Sequence, residues 1–232
     1  MSITLSAIVP VYNEEKTLEQ SVNRLIAIEE ISKILIVDDN SIDNSFEIMK
    51  TIQQENKKVI ISKLNTNKGK GGAIKSVFKQ LDTDYVIIHD ADMEYNPSDI
   101  PKMFYELKNL KSLTFVIGSR FKSSEKVQKY YRTFYANKFL SLLFSILYKT
   151  KITDIATCYK LMPVSYLQNT DFNEDGFAIE IELIAKYLKN NSTIIEVPIS
   201  YFARTYEEGK KIKLLDGFRY IYAMYRYKIK WN

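Results

Sequence analysis

Three clusters of acidic and polar residues follow apolar, β-type runs in the first hundred residues. They lie at residues 12–15, 38–39 and 90–92. The carboxyl ends of parallel strands in an open α/β sheet meet at one edge, where ligands bind. Carboxylates crowded there repel one another unless a cation lies between them, and their hard oxygens favour Mg or Mn over Zn. We therefore expect a divalent-cation site, with a turn at Ala91 that lets Asp90 and Asp92 reach one ion.

The elements that must position these clusters alternate between strand and helix. β-type runs are predicted at residues 5–9, 34–37, 59–61, 85–88 and 113–117, with helical periodicity between them. This order predicts an α/β protein with an open, mostly parallel sheet and helices on both faces. The second half predicts a short strand at 159–162, a helix after Gly176, a strand at 194–199 and a helical tail. In the helix after Gly176 we expect a core stripe that includes Phe177, with a Glu182–Lys186 pair opposite.

Several other site types are disfavoured by composition and spacing. One cysteine, Cys158, and one histidine, His89, exclude a disulfide framework and a Cys-rich metal site, and argue against a His-based zinc site. Cys158 is expected in the core and His89 at a strand end. The glycine-rich loop at 67–72 lacks P-loop spacing, which leaves a ligand loop and a solvated flexible loop as equal alternatives.

Positive charge is concentrated at the carboxyl end of the chain. The net charge is +5, but residues 210–232 alone carry seven basic residues and one acid, interleaved with aromatics. Such a tail suits nucleic acid, anionic lipid or a phosphorylated ligand. No secretory signal is expected at the amino end, and the longest apolar run, at 139–148, is too short to span a bilayer. We expect a soluble or membrane-surface protein in a reducing compartment.

Taken in order, the motifs resemble glycosyltransferase family 2 of the GT-A fold. The resemblance rests on Pro-Val-Tyr-Asn-Glu-Glu at 10–15, Val-Asp-Asp-Asn-Ser at 37–41, Asn-Lys-Gly-Lys-Gly at 67–71 and Asp-Ala-Asp at 90–92. Later segments are similar to dolichyl-phosphate mannose synthases and undecaprenyl-phosphate glucosyltransferases; they are Gly118-Ser119-Arg120, Thr153-Asp154, Cys158-Tyr159-Lys160, Glu196-Val197-Pro198-Ile199 and residues 204–210. The resemblance implies a Rossmann-like GT-A sheet.

The resemblance also implies roles for individual residues. A UDP- or GDP-hexose would be bound by Pro10, Tyr12, Glu14, Asp39, Lys68, Asp90, Ala91 and Arg204. Mg or Mn would be held by Asp90, Asp92 and Glu94, and the catalytic residues would be Asp92, Asp154 and Arg120. The acceptor phosphate would meet Arg120 and Arg132. The chain departs from the family at Asn40 and Cys158, where glycine is usual. We expect none of the C-terminal transmembrane helices of some relatives.

The acceptor can be argued from the chemistry. An inverting attack on the anomeric carbon by a hydroxyl needs a general base, for which Asp154 is the candidate. A phosphate, with a second pKa of about 6, needs none at pH 7. Residues 120–138 hold six basic residues against one acid, which favours a polyprenyl phosphate. A hydroxyl acceptor in glycan synthesis remains the alternative. A sugar nucleotidyltransferase and a nucleic-acid-binding module fit less well, so no nucleic acid is expected.

We predict one catalytic domain, 1–232, in three parts. Residues 1–118 would form the nucleotide-sugar and metal-binding half, 119–209 the acceptor half, and 210–232 a basic aromatic helix. The 139–148 run and the tail would together dock the protein at the cytoplasmic face of a membrane. Core packing, favoured for 139–148 taken alone, and an oligomer interface are the alternatives. The expected location is cytoplasmic, with peripheral membrane contact.

Overall fold

The computed structural model describes residues 3–108, 114–122, 131–189, 193–204 and 214–229. Within these ranges seven strands form one sheet. They are β1 (Leu5–Val11), β2 (Ile31–Asp38), β3 (Val59–Lys63), β4 (Tyr85–Ile88), β5 (Phe115–Ser119), β6 (Lys160–Pro163) and β7 (Ile194–Pro198). Their spatial order is β3-β2-β1-β4-β6-β5-β7. The predicted α/β architecture is confirmed.

The sheet is parallel except at β6. Strand β1 pairs in parallel with β2 and β4, β2 with β3, and β5 with β7. Strand β6 runs antiparallel to both neighbours, with Val86 opposite Met162 and Val116 opposite Leu161. A strand from the second half therefore lies between two strands of the first half, and one sheet joins both. The boundaries predicted at 118 and 209 remain predictions.

Both faces of the central strands are covered. In β1 the consecutive residues Ala7, Ile8 and Val9 are all fully buried, although alternate side chains point to opposite faces. Burial on both faces is typical of a parallel sheet with helices on each side. The core therefore consists of two apolar layers, and only the strand ends are free to carry polar chemistry.

Eight α-helices lie within the described ranges, together with two short 3-10 helices, Phe78–Gln80 and Pro97–Asp99. The α-helices are α1 (Leu18–Ile26), α2 (Ser45–Glu55), α3 (Gly69–Ser76), α4 (Ile100–Lys108), α5 (Tyr131–Tyr148), α6 (Val164–Gln168), α7 (Ile179–Leu188) and α8 (Leu214–Ile229). None of them combines the length and apolar content needed to cross a bilayer. Helix α8 packs against α5 and α7, and the Tyr148 hydroxyl donates to the carbonyl of Met224 at 2.8 Å. The tail is thus attached to the domain by specific contacts.

Some predicted boundaries and one predicted face differ from the structure. Strand β5 begins at Phe115, and the predicted start at Leu113 lies outside the described residues. The Glu182–Lys186 ion pair exists at 2.7 Å, but Glu182 is fully buried, so its predicted solvent-facing position is wrong. The reason is that its carboxylate accepts hydrogen bonds from the backbone N–H groups of Asn173 and Glu174 at 2.8–3.0 Å. Glu182 anchors the loop before α7.

Candidate functional site

The loops after β1, β2 and β4 enclose a cavity of about 430 Å³ at the carboxyl edge of the sheet. Nine residues predicted as ligands from the sequence line it: Pro10, Tyr12, Glu14, Asp39, Asp90, Ala91, Asp92, Glu94 and Arg204. They come from sequence positions nearly 200 residues apart. The parallel order of β1, β2 and β4 brings three of the loops together, and the segment after β7 contributes Arg204.

Two asparagines allow the first two loops to turn sharply into the cavity. Asn13 and Asn40 have φ angles of 51° and 63°, in the left-handed region that asparagine tolerates better than most residues. The Asn13 side chain accepts from the Ile42 N–H at 2.9 Å, and the Asn13 N–H donates to the Ser41 hydroxyl at 2.9 Å. Asn40 therefore provides the turn that the family usually makes with glycine.

Asp39 fastens the glycine-rich loop to the edge of the sheet. Its two carboxylate oxygens each accept a backbone N–H at 2.7 Å, one from Lys68 and one from Gly69. Burial raises the pKa of Asp39, and the two N–H donors oppose that effect only in part. In this state the carboxylate of Asp39 holds protein backbone, so its predicted contact with a base or ribose remains a prediction.

The glycines of this loop are required by close packing. Gly69 has a φ of +82°, and a Cβ on Gly71 would lie 2.4 Å from the carbonyl oxygen of Glu174. The Lys68 side chain is exposed and does not line the cavity, in contrast to its predicted role. Lys70, the second residue of α3, lines the cavity instead. The loop borders the cavity through Asn67, Gly69 and Lys70, and a ligand contact of Lys68 remains a prediction.

Lys70 forms ion pairs with two carboxylates, the half-buried Asp90 and the buried Glu180. Its Nζ lies 2.7 Å from Asp90 Oδ1 and 2.8 Å from Glu180 Oε1. Burial works against ionisation of Asp90, but the charge of Lys70 outweighs it and lowers the pKa of Asp90. Asp90 is thus a carboxylate anion beside a fixed ammonium group.

Asp92 has a less favourable environment. Arg204 Nη2 lies 2.8 Å from Asp92 Oδ2, while its Nη1 contacts Glu14 at 3.0 Å, so one guanidinium serves two carboxylates. Burial and the nearby charges of Asp90 and Glu94 raise the pKa of Asp92 to about 7. The site therefore has an excess of negative charge in the absence of a ligand.

Glu94 is already engaged on both oxygens. It accepts from the Tyr201 hydroxyl at 2.7 Å and from the Arg204 N–H at 2.7 Å. Within the described ranges, no three acidic, histidine or cysteine side chains are close enough to form a metal-ligand cluster. Ligation by Asp90, Asp92 and Glu94 together therefore remains a prediction, and Glu94 in this arrangement anchors the segment that carries Arg204.

His89 stabilises the turn at residues 90–92, called the acidic turn below, through Ser21. Its Nε2 lies 3.0 Å from Ser21 Oγ, and Ser21 also donates to the carbonyl oxygens of Asp90 and Asp92. Its Nδ1 lies 3.0 Å from the Tyr159 hydroxyl. Burial lowers the pKa of His89 to about 4, so it is a neutral hydrogen-bonding residue. His89 at a strand end and Cys158 in the core are confirmed as predicted.

A second ionic site joins the end of β5 to the segment between α5 and β6. The Arg120 guanidinium binds Asp154 through Nε and Nη2 at 2.7 and 2.8 Å, and the Arg120 N–H donates to the same carboxylate at 3.0 Å. Asp154 is fully buried. Arg120 also lies over the ring of Tyr201, 4.8 Å from its centroid. This geometry makes Asp154 the residue that orients Arg120, and a general-base role for it remains a prediction.

Some predicted residues are not brought to the cavity, and others were missed. Arg120 and Asp154 do not line it. The Arg132 side chain and residues 205–213 lie outside the described part of the structure. Phe177, predicted to be core, is half-buried and lines the cavity instead. Lys70 and Glu180 were missed because no spacing rule distinguishes them from surface charges.

Comparisons with known proteins show the family of this chain. Residues 6–170 match the model of glycosyl transferase family 2. A dolichol-phosphate mannosyltransferase of Pyrococcus furiosus is 28% identical over 98% of this chain, which spans 64% of that relative. A UDP-N-acetylglucosamine–dolichyl-phosphate N-acetylglucosaminyltransferase of Methanococcus voltae is 30% identical over 96% of this chain and 95% of its own length.

A solved structure shows the same fold. Glucosyl-3-phosphoglycerate synthase from Mycobacterium tuberculosis, in complex with UDP, superposes with a TM-score of 0.76 over 98% of this chain and 80% of its own, at 16% identity. Another structure of that protein contains Mn2+ and UDP. The family match covers well over half of the chain, and the sheet order and acidic edge agree with it. The chain is a GT-A-fold glycosyltransferase that belongs to glycosyl transferase family 2.

Proposed function

We propose that the chain transfers a hexose, with inversion, from a UDP- or GDP-hexose to a dolichyl or undecaprenyl phosphate at a membrane surface. The observation that carries this proposal is the cavity at the carboxyl edge, in which Asp92 and its acidic neighbours lack sufficient positive charge. A divalent cation, which would also coordinate the diphosphate of a nucleotide sugar, would supply positive charge beside these carboxylates. Curated relatives named for dolichyl-phosphate and undecaprenyl-phosphate substrates support the acceptor.

The donor set fits Mg or Mn. The two aspartates offer hard oxygens, and Mg is commonly held by one or two carboxylates together with substrate phosphates and water. A three-residue cluster is therefore not required. Such an ion would stabilise the negative charge that develops on the departing nucleoside diphosphate. Asp90 and Asp92 would hold it, and Glu94 would keep the Arg204 segment in place.

Arg204 is the proposed contact for the donor diphosphate. Its guanidinium lines the cavity, and its buried Nε has no hydrogen-bond partner within the described part of the chain. A diphosphate beside Asp92 would offer oxygens to this group, and arginine binds phosphates through paired N–H donors. Arg204 would then exchange part of its contact with Glu14 and Asp92 for the substrate.

Arg120 is the proposed contact for the acceptor phosphate. Asp154 holds one side of its guanidinium by two hydrogen bonds, which fixes the direction of the group. A phosphate acceptor is already dianionic in large part at pH 7 and needs no base. The role proposed for Asp154 is therefore orientation of Arg120. Arg132 is proposed as a second phosphate contact from the sequence resemblance.

Two helices provide a surface for membrane contact. Exposed apolar side chains recur every three or four residues on α5 (Tyr135, Phe139, Leu142, Ile146) and on α8 (Leu215, Phe218, Tyr222, Tyr225, Ile229). Each set forms one stripe along its helix. Exposed basic residues lie beside them, among them Lys138, Lys149 and Arg219. Apolar stripes bordered by positive charge suit an anionic bilayer, in which a polyprenyl phosphate would reside.

Vesicle binding tests the membrane contact. The full chain should sediment with phosphatidylcholine–phosphatidylglycerol vesicles, and the double variant Leu142→Asp, Phe218→Asp should bind at least tenfold less. The control is Tyr105→Asp on α4, which is 61% exposed but lies outside both stripes. Wild-type protein that ignores these vesicles, or a double variant that binds like wild type, would contradict the membrane contact.

A substrate panel tests the reaction. UDP- and GDP-hexoses should be offered with a polyprenyl phosphate or with the dephosphorylated polyprenol, each with and without a chelator. We expect product only from the phosphate and only with Mg or Mn. Turnover of the polyprenol alone would favour the hydroxyl-acceptor alternative. Full activity under chelation would contradict the metal assignment.

A further inference from the structure

Lys70 lies between two carboxylates, only one of which belongs to the acidic turn. Its Nζ is 2.7 Å from Asp90 and 2.8 Å from Glu180, and its side chain is 10% exposed. Glu180 is itself bound on its other oxygen by Lys160 Nζ at 2.5 Å. The four side chains form a line of alternating charge that leads from the cavity into the core.

The deeper end of this line is fixed. Lys160 is fully buried and also donates to the carbonyl of Thr157. Glu180 lies in α7, and Gly72 in α3 donates its N–H to the carbonyl of Asp175 at 3.0 Å, which joins the start of α3 to the loop before α7. Lys70 and Glu180 are thus held on neighbouring, mutually bonded segments. The Lys70–Glu180 contact does not depend on the conformation of the acidic turn.

The charges within this line of four side chains balance without any ligand. Asp90 and Glu180 carry two negative charges, and Lys70 and Lys160 carry two positive ones. Buried charges are tolerated when each one is paired, and removal of one partner is costly. A divalent cation that binds Asp90 therefore competes with the ammonium of Lys70. The cost of displacing that ammonium is reduced if a second carboxylate remains beside it.

We propose that Lys70 is a built-in counter-ion of Asp90 that the divalent cation displaces, and that Glu180 is the positioning residue that retains Lys70 afterwards. This inference rests on the metal role in the proposed function. It assigns to α3 and α7 the tuning of metal affinity at the acidic turn. Lys70 and Glu180 should then affect metal binding in opposite directions.

Binding of Mn2+, measured by electron paramagnetic resonance on the full chain alone and with saturating UDP, tests this assignment. Lys70→Gln should lower the Kd for Mn2+ on the order of tenfold, since an opposite charge at this distance changes the properties of a carboxylate by at least that factor. Glu180→Gln should raise it by a similar factor, because Lys70 would then pair with Asp90 alone. The matched control is Lys75→Gln, which is on the same helix but pairs with Asp175 at 2.7 Å.

The outcomes distinguish failure of the Lys70–Glu180 inference from failure of the proposed metal role. Opposite changes in Kd, with Lys75→Gln unchanged, would support the inference. Wild-type binding of Mn2+ that neither Lys70→Gln nor Glu180→Gln alters, or that both weaken, would overturn it and leave the metal role intact. Absence of Mn2+ binding in the wild type would overturn both. Lys70→Gln preserves the Lys160–Glu180 pair, so an unchanged or raised Kd in that variant overturns the inference even when Glu180→Gln fails to fold.

Discussion

Two aspartates near the carboxyl ends of the strands differ sharply in their surroundings. Asp154 is fully buried, and Arg120 alone supplies it with three N–H donors. Asp92 is nearly as buried, but it shares Arg204 with Glu14 and lies near two further carboxylates. Asp154 is therefore complete without a ligand, whereas Asp92 needs additional positive charge. The same residue type is a structural anchor in one place and the proposed cation-binding group in the other.

The difference arises from the donors that each fold position provides. At Asp154 the donor is an arginine of the adjacent β5 end, already committed to one carboxylate. At Asp92 the available cations, Lys70 and Arg204, are divided among Asp90, Glu180 and Glu14. A cavity whose carboxylates outnumber their cations is suited to binding a metal with a phosphorylated ligand. An ion pair that is complete without a ligand, such as Arg120 with Asp154, is suited to fixing the direction of a side chain.

The largest effect should follow from removing the charge of Asp92. We expect Asp92→Asn to lower kcat on the order of a thousandfold, because the variant would lose a proposed ligand of the ion that would stabilise the leaving group. Steady-state kinetics with the donor identified in the substrate panel measure this. The control is Asp82→Asn, a surface carboxylate paired with Lys33. Wild-type kcat in Asp92→Asn would remove the contrast between the two aspartates.

The corresponding substitution at Asp154 should lower the free energy of unfolding. Asp154→Asn leaves the buried Arg120 guanidinium without its anion, and breaking a buried pair costs about 3 kcal/mol or more. Urea unfolding followed by circular dichroism measures that loss. For a phosphate acceptor the folded variant should keep measurable kcat with a raised acceptor KM. Complete loss of turnover in a folded variant would instead make Asp154 a general base and favour a hydroxyl acceptor.

The pH dependence of stability should distinguish the two sites further. The raised pKa of Asp92, about 7, means that in metal-free protein it keeps its proton at pH 5.5, whereas in the unfolded chain it has already lost it. The native state binds more protons over this range, so stability falls as pH rises from 5.5 to 7, by roughly 2 kcal/mol. Urea unfolding with a chelator should show this fall in wild type. Asp92→Asn should reduce it, and an unchanged slope would contradict the assignment.

Much of the cavity at the carboxyl edge of the sheet could be predicted from the sequence. Pro10, Asp39 and Asp90 follow apolar runs whose parallel pairing fixes where the strands end, so their convergence requires only the strand order. The family motifs then favour a ligand-binding site at this edge of the sheet over ordinary strand-to-helix turns. Local patterns of this kind hold because β1, β2 and β4 are buried on both faces and cannot change register without exposing apolar residues.

The second half was harder to predict for a physical reason. The burial of Glu182 depends on backbone N–H groups of residues 173 and 174, and no periodicity reveals such partners. The same holds for Glu180, whose partners Lys70 and Lys160 come from α3 and β6. The antiparallel direction of β6 is likewise a matter of tertiary pairing. Charged residues on a helix are read from sequence as solvent-facing unless the partner is already known.

The smallest predicted effect concerns the turn after Asp39. Asn40 has a φ of 63°, which a residue with an ordinary Cβ adopts at a cost of about 1 kcal/mol, whereas glycine adopts it freely. Asn40→Ala should therefore lower the free energy of unfolding by about that amount and weaken UDP or GDP binding, because Asp39 would hold Lys68 and Gly69 less well. Asn40→Gly, the matched control, should stay within a few tenths of a kcal/mol of wild type.

Calorimetric titration of the nucleotide measures the binding, and the acceptor KM should not change, because the Arg120–Asp154 pair requires no such turn. A change in acceptor KM without one in nucleotide affinity would mean that the two ionic sites are coupled rather than separate.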